Sequence, residues 1–393
     1  MRGRDPAVFF DSVSAGKNGN EAPLLFTDPV DQVIAVRDTD VPAALARIDR
    51  LSSEFWLAGY MDYSALKAGS GVGSGRSRTK NDLPLLWFGV YEKPLMVRKV
   101  DRRDCFPAQM NIQTRMDFAE YERAILAIKQ FIKEGETYQV NYTFDFQVCA
   151  QAGAEHLYGF LREFQKTPYC AFLRGGGREV LSFSPELFFE RDGDHICVQP
   201  MKGTAARGAL AGLDEERSQL AADEKNRAEN VMIVDLLRND LGRIAKTGSV
   251  RVESLFDVET HPTLHQMTSR IRAELGPEVT YQKIFEAIFP SGSVTGAPKV
   301  RTMQIIDGLE RGGRGVYCGA IGYISPQKKA VFSVPIRILQ RAAGETDWQY
   351  RVGSGIVWDS DPRSEWEEAH LKTKFLTQGA PKDFQLIETM LWE

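Results

Sequence analysis

The stretch Asp117–Phe146, DFAEYERAILAIKQFIKEGETYQVNYTFDF, decides the fold class because its hydrophobic period changes midway. Phe118, Tyr121, Ile125, Ile128 and Ile132 recur at spacings of three and four, and Gly135 follows, which predicts an amphipathic helix with a glycine stop. Val140, Tyr142, Phe144 and Phe146 then alternate with Asn141, Thr143 and Asp145, the period of a half-buried strand. Outward from this junction, strands and helices come in blocks. Strand-like runs at Val33–Val36 and Leu85–Tyr91 flank a helical pattern at Val41–Leu51. Further strands are expected near Ala171–Leu173, Val180–Phe183, Leu187–Glu190 and Ile196–Gln199, followed by a long helix over roughly Leu213–Ile244. There is no steady strand-helix alternation and no internal repeat, so an α+β architecture is favoured over a parallel doubly wound sheet.

The 393 residues carry 49 Lys+Arg against 53 Asp+Glu, interleaved along most of the chain, and this balance argues against a nucleic-acid binder. Hydrophobic residues at 43 % and charged residues at 26 % describe an ordinary globular protein with a large core, not a disordered chain. No apolar run approaches the roughly 20 residues that span a bilayer, and Met1–Pro6 leads into Asp11 without a signal-peptide core, so a cytoplasmic, membrane-free protein is expected. Cys105, Cys149, Cys170, Cys197 and Cys318 are scattered and form no CxxC pair, so they read as reduced. The glycine-rich run between Lys67 and Asp82 lacks the Gly-Lys-Ser/Thr ending of a phosphate loop and reads as a mobile surface loop.

Three groups of residues carry chemistry. On the helix around Lys225–Asp240, Glu229 shares a mainly apolar face with Met232, Ile233 and Leu236, where a carboxylate wants a partner. Asp361-Pro362 predicts another helix start, with Glu365, Glu368 and Lys372 on one face. Spacing alone leaves two readings open: a solvated face with a Glu368–Lys372 pair, or oxygen ligands for Mg²⁺ on facing helices. The second group is Ser184-Pro185-Glu186 with Pro200-Met201-Lys202-Gly203-Thr204-Ala205. A hairpin at Arg191–Asp194 would let Glu186 and Lys202 approach, either as a surface pair or as a desolvated nucleophilic amine with its proton acceptor. The third is Arg337, on a strand expected to run Phe332–Leu339, with Gly353-Ser354-Gly355, whose backbone could hold a carboxylate that Arg337 complements.

With these motifs in place, the chain resembles the chorismate-utilising enzymes, and within them the aminodeoxychorismate synthases of folate (p-aminobenzoate) biosynthesis. The strings are GETYQVNYTF (135–144), FSPELF (183–188), PMKGTAARG (200–208), RAENVMIVDLLRNDLGR (227–243), FPSGSVTGAPKVRTMQIID (289–307), YCGAIGYIS (317–325) and GSGIVWDSDPRSEWEEAHLK (353–372). The resemblance implies a large two-subdomain β-sandwich of mainly antiparallel sheets covered by helices, with the active site in the cleft between them. It divides the chain into an N-terminal subdomain at 1–100, a chorismate-binding region at 101–377 intertwined with it, and a tail at 378–393. It implies Mg²⁺ held by Glu229 and Glu368 with Glu365 assisting. Chorismate would be bound by Arg337, Tyr323, Gly353, Ser354 and Gly355, with Thr295, Gly296, Lys372 and Gln266 in the same pocket. Lys202 stands where the anthranilate synthases have alanine, and implies a covalent intermediate with Glu186 moving protons. Gln266 stands where those enzymes have histidine, which implies amination without loss of pyruvate; His265 is the alternative for that role.

The same resemblance implies partners and rivals. No cysteine sits in a Gly-x-Cys-x-Gly elbow, so ammonia is expected from a separate class I glutaminase subunit or from solution. Asp383–Met390 resembles the opening strand of aminodeoxychorismate lyase, which suggests a fused or separate lyase. Phe9–Ser14 departs from the Leu-Leu-Glu-Ser string that binds tryptophan in relatives. The alternatives are an anthranilate synthase component I, an isochorismate-type enzyme, or a catalytically silent binding subunit.

Overall fold

The computed structural model describes residues 6–12, 22–66, 82–97, 110–165, 167–206, 215–260, 264–377 and 387–388. The glycine-rich run at 68–81 and Cys105 lie outside the described residues, and of the tail only 387–388 is described. The change of period in the sequence is realised as a helix, Phe118–Lys133, followed by a strand, Gln139–Ala150. The Asp117 side chain accepts the Glu120 N–H at 2.7 Å and so caps the helix, while Gly135 leaves it at φ +76°. The long helix expected over 213–244 is instead two, Glu215–Ala222 and Glu224–Gly242. Asp223 causes the break: its backbone is extended and its carboxylate accepts the Asn226 N–H at 2.7 Å, starting a new helix.

Among the described residues the strands form two large sheets, of eleven and ten strands. Pairing is antiparallel throughout, apart from the short parallel contact of Ile387–Glu388 with Met110–Thr114. The eleven-stranded sheet is buried on both faces. Phe10, Ala171, Leu173 and Val180 belong to the core shared with the ten-stranded sheet, whereas Phe9, Cys170, Phe172 and Leu181 pack with residues of the Phe118–Lys133 and Ala154–Phe164 helices. That alternation makes a layered α+β sandwich. Strands from the first 100 residues enter both sheets: Ala7–Ser12 pairs with Tyr169–Gly175, and Trp56–Met61 pairs with Ala320–Ile324. No described helix is long and apolar enough to cross a membrane. Cys149, Cys170, Cys197 and Cys318 are free thiols.

Two segments pass from one sheet to the other, and they position the site. Arg178–Ser184 lies in the larger sheet and Leu187–Asp192 in the smaller; Lys329–Ser333 and Ile338–Ala342 make the reverse passage. The crossings are tied together: Val334 N–H donates to the Glu186 carbonyl at 3.1 Å, and Phe183 N–H donates to the Arg337 carbonyl at 3.2 Å. The run Phe332–Leu339 is therefore not the single strand expected from its alternation. It breaks between the sheets, where Arg337 takes φ +54°, a conformation that no continuous strand contains.

Candidate active site

Glu186 stands on the first crossing, 3 % exposed. The Ser293 hydroxyl donates to its carboxylate. Burial pushes the Glu186 carboxyl up to about 7, with the Ser293 hydrogen bond and the charge of Lys202 pulling the other way. Ser293 belongs to the turn Gly292–Val294, which is fixed by Arg314 Nη1 donating to the Val294 carbonyl at 2.8 Å and by the Ser291 hydroxyl 2.9 Å from that of Ser293.

Lys202 reaches the same region from the strand Met201–Ala206. The expected hairpin is present, since Leu187–Asp192 pairs with His195–Gln199, but Met201–Ala206 pairs with Leu264–Glu274 and not with the Glu186 side of the hairpin. The Lys202 side chain is 13 % exposed, and its Nζ lies 4.0 Å from Glu229 Oε2. Burial draws the amine below its ordinary value, against the opposing pull of Glu229 and Glu186. A lysine and two glutamates thus share a desolvated space in which burial works against the charged form of each.

The carboxylates expected to bind metal converge from two helices. Glu229 comes from Glu224–Gly242, and Glu365 and Glu368 from Pro362–Leu371, which begins at the Asp361 cap as the sequence predicts. Burial raises the Glu229 carboxyl, and the nearby charges of Glu365 and Glu368 add to the rise while Lys202 and Lys225 oppose it. Glu365 is buried and accepts the Ser360 hydroxyl at 2.8 Å. Glu368 pairs with Lys372 at 2.8 Å; burial would raise its carboxyl, but Lys372, Lys225 and Lys202 outweigh that and hold it low. Among the described residues no three acidic, histidine or cysteine side chains form a closed metal cage. Mg²⁺ needs no such cage, because it keeps several waters and takes one or two carboxylates. Glu229, whose proton affinity the charge of Glu368 raises, and Glu368 itself, held in its charged form by lysines, make a donor set of carboxylate oxygens that a hard cation fits.

A backbone wall completes the space. The strand Asp347–Ile356 pairs along its whole length with Gln139–Ala150, but its pairing with Ile338–Ala342 stops at Tyr350, which leaves the Gly353–Gly355 segment with one sheet neighbour. A side chain is excluded at Gly353, where a Cβ would lie 2.2 Å from the Tyr142 carbonyl oxygen; one on Gly355 would push on the side-chain ends of Gln139 (Nε2 at 2.2 Å) and Lys202 (Nζ at 3.0 Å). Lys372 Nζ donates to the Gly353 carbonyl at 2.8 Å. Thr295 is fully buried and donates to the Ser291 carbonyl, and Gly296, at φ +147°, pairs with Val140. Arg337 is half-buried, donates to Gln165 Oε1 at 3.3 Å, and has its guanidinium drawn down by desolvation. Tyr323 lies in an aromatic cluster with Phe10, Trp56 and Phe26, at centroid distances of 5.6, 5.9 and 6.4 Å. Gln266 is buried and donates to the Gly203 carbonyl, while His265 faces the Thr260 hydroxyl at 3.1 Å.

Two residues of this space do not stand out in the sequence. Gln139 is 2 % exposed with both amide atoms lacking a hydrogen-bond partner, beside Gly355 and Lys202. Ser293 is the donor to Glu186. The signal for Gln139 was its place opposite Val140, Tyr142 and Phe144 on an alternating strand; nothing in the sequence distinguishes Ser293 from its neighbours.

The fold and this space define a family: residues 102–378 match the model of the chorismate binding enzymes, and the chain belongs to that family. It is 42 % identical over 273 residues to an aminodeoxychorismate synthase of Streptomyces pristinaespiralis, covering 69 % of this chain and 38 % of that protein. It is 40 % identical over 257 residues to aminodeoxychorismate synthase component 1 of Salmonella typhimurium, covering 65 % of this chain and 56 % of the relative. An anthranilate synthase component 1 of Haloarcula marismortui is 39 % identical over 267 residues, covering 68 % and 54 %. The chain therefore spans about half the length, or less, of these relatives. The crystal structure of anthranilate synthase component I from Streptococcus pneumoniae superposes with a TM-score of 0.74 over 96 % of this chain and 93 % of that one, at 22 % identity, which establishes the shared fold.

Proposed function

We propose that this chain aminates chorismate to 4-amino-4-deoxychorismate, with Lys202 as the covalent nucleophile. The observation that carries the reading is a buried Lys202 amine with lowered proton affinity beside Glu186, whose carboxyl is pushed up to about 7. Such a pair offers an amine that gives up its proton more readily than an exposed lysine and, near neutral pH, a carboxyl that both donates and accepts a proton. The two relatives named aminodeoxychorismate synthase support the choice of substrate and product.

In this mechanism the Lys202 amine forms a bond to ring C2, both ring double bonds shift, and the C4 hydroxyl leaves as water with a proton from Glu186. Ammonia then bonds to C4, both double bonds shift back, the C2–N bond breaks and Lys202 is regenerated, with Glu186 taking up the surplus proton. The balance is chorismate plus ammonia giving product plus water. Glu229 and Glu368, with Glu365 behind them, would hold Mg²⁺, which neutralises and orients a substrate carboxylate when bound. Gly353–Gly355 would present backbone N–H groups to the second carboxylate, and the unpartnered Gln139 amide would face bound ligand. The "component 1" in the names of relatives supports a separate ammonia-supplying subunit, of the glutaminase class.

The test is incubation with chorismate, Mg²⁺ and ammonium, with the product identified by mass spectrometry. Aminodeoxychorismate as the main product is expected; fluorescent anthranilate, or isochorismate, would overturn the assignment, and no turnover would leave a binding subunit.

A further inference from the structure

Lys202 lies in a distorted part of its sheet. Met201 is paired with Thr268 and Thr204 with Gln266, so Lys202 and Gly203 together stand opposite the single residue Met267. This is a β-bulge, a device that bends a strand and re-aims a side chain. Gly203 takes φ +81°, and a Cβ there would come within 2.9 Å of Asn226. A left-handed glycine has easy alternatives, because its peptide rotates with little steric resistance. In this protein the peptide is held: Gln266, 2 % exposed, donates from Nε2 to the Gly203 carbonyl oxygen at 2.7 Å. The strand alternation that turns Gln266 toward the bulge turns His265 the other way, to Thr260.

We propose that Gln266 is the positioning residue for Lys202, acting by fixing the Lys202-Gly203 bulge and hence the direction of the amine. This rests on the reading of Lys202 as nucleophile, and it assigns to Gln266 a task different from contact with substrate. The amine has little room for error: its Nζ sits 4.0 Å from Glu229 Oε2 and 3.0 Å from where a Cβ of Gly355 would be. Loss of the amide donor frees the Gly203 carbonyl to turn, and displacement of a reacting group by about 1 Å costs on the order of 100-fold in rate.

Gln266→Met keeps the length of the side chain and removes the donor. The expected result with chorismate, Mg²⁺ and ammonium is a kcat lower by about 10- to 100-fold, chorismate affinity within about twofold of wild type by equilibrium binding, and a matching fall in the Lys202 adduct seen by mass spectrometry after acid quench. Gln266→Leu, which likewise removes the donor and brings no titratable group, carries the same expectation and serves if the methionine variant does not fold. Weakened chorismate binding with kcat preserved would make Gln266 a substrate contact and overturn the proposal, as would unchanged kcat and adduct. Its failure is separable from that of the nucleophile reading. A wild-type adduct with unaltered Gln266 variants breaks the proposal alone, whereas full turnover by Lys202→Ala with no wild-type adduct breaks the nucleophile reading itself.

Discussion

Two buried charge clusters lie in this molecule, each of glutamate with basic side chains, and they are settled in opposite ways. In one, Glu310 is enclosed by Arg314 Nη2 at 2.6 Å, Arg351 Nη2 at 3.3 Å and the Thr143 N–H at 2.8 Å, and the three charged side chains are 4 % exposed or less. Burial works against the Glu310 carboxylate, yet Arg314, Arg351 and Thr143 hold it below its ordinary value, and the Arg314 guanidinium is raised well above its own. In the other, Glu186 is raised and the Lys202 amine lowered, because burial there is met by one hydroxyl and by charges that do not close on each other. Closed pairing keeps groups permanently charged and makes them scaffold; incomplete pairing leaves them able to exchange protons. The clusters are also linked, since Arg314 holds the Val294 carbonyl in the turn that carries Ser293 to Glu186.

The contrast is sharpest for Lys202→Ala. On the nucleophile reading kcat falls on the order of 10⁴-fold, about 5 kcal/mol of barrier, with the fold intact by circular dichroism; retained activity would place Lys202 with the scaffold. Glu310→Ala should do the reverse and cost about 3 to 5 kcal/mol in chemical denaturation, because Arg314 and Arg351 lose their counter-charge. Glu186→Gln should lower kcat by about 10²- to 10⁴-fold in the same assay.

That variant also has a signature in stability. Unfolded Glu186 titrates near 4.5, its ordinary value, and the folded group near 7. Between those values the folded state keeps a proton that the unfolded state loses, so the contribution of Glu186 to stability falls as pH rises from about 4.5 to about 7 and stays low above it. Glu186→Gln should therefore gain about 1 to 3 kcal/mol over wild type at pH 8 and little at pH 4, read from denaturation midpoints. An equal difference at both pH values would mean that Glu186 is not desolvated. The smallest effect is expected for Arg238→Ala, whose partner Asp235 is exposed, as is Arg238 itself: less than about 0.5 kcal/mol and unchanged turnover.

Much of this molecule was legible in its chain. The shift from period 3.6 to period 2 across Asp117–Phe146 marked a helix and a strand that the fold contains, because one buried face imposes its spacing on the residues. The helix start at Asp361 was readable from the proline that follows it, because a cap is a local hydrogen bond. Asp223 caps by the same kind of bond but is followed by Glu224 and not by proline, and the stretch around it read as one continuous helix. Periodicity failed at Phe332–Leu339, where alternation continues while the chain changes sheets, since spacing reports which face is apolar and not which sheet it packs on. The motifs carrying Lys202, Glu186, Glu229 and Glu368 were likewise visible, and so was their likeness to the chorismate-utilising enzymes.

By itself, then, the sequence determined the α+β class, the family and the residue types available for chemistry, because these follow from local patterning and from long ordered strings. Tertiary structure alone decided which charges close into scaffold and which stay poised, that Gln139 and Ser293 join the site, and that Gln266 grips the bulge beneath Lys202. The physical reason is that proton affinity and side-chain direction depend on desolvation and on partners remote in the chain, such as Ser293 at Glu186 and Gln266 at Gly203.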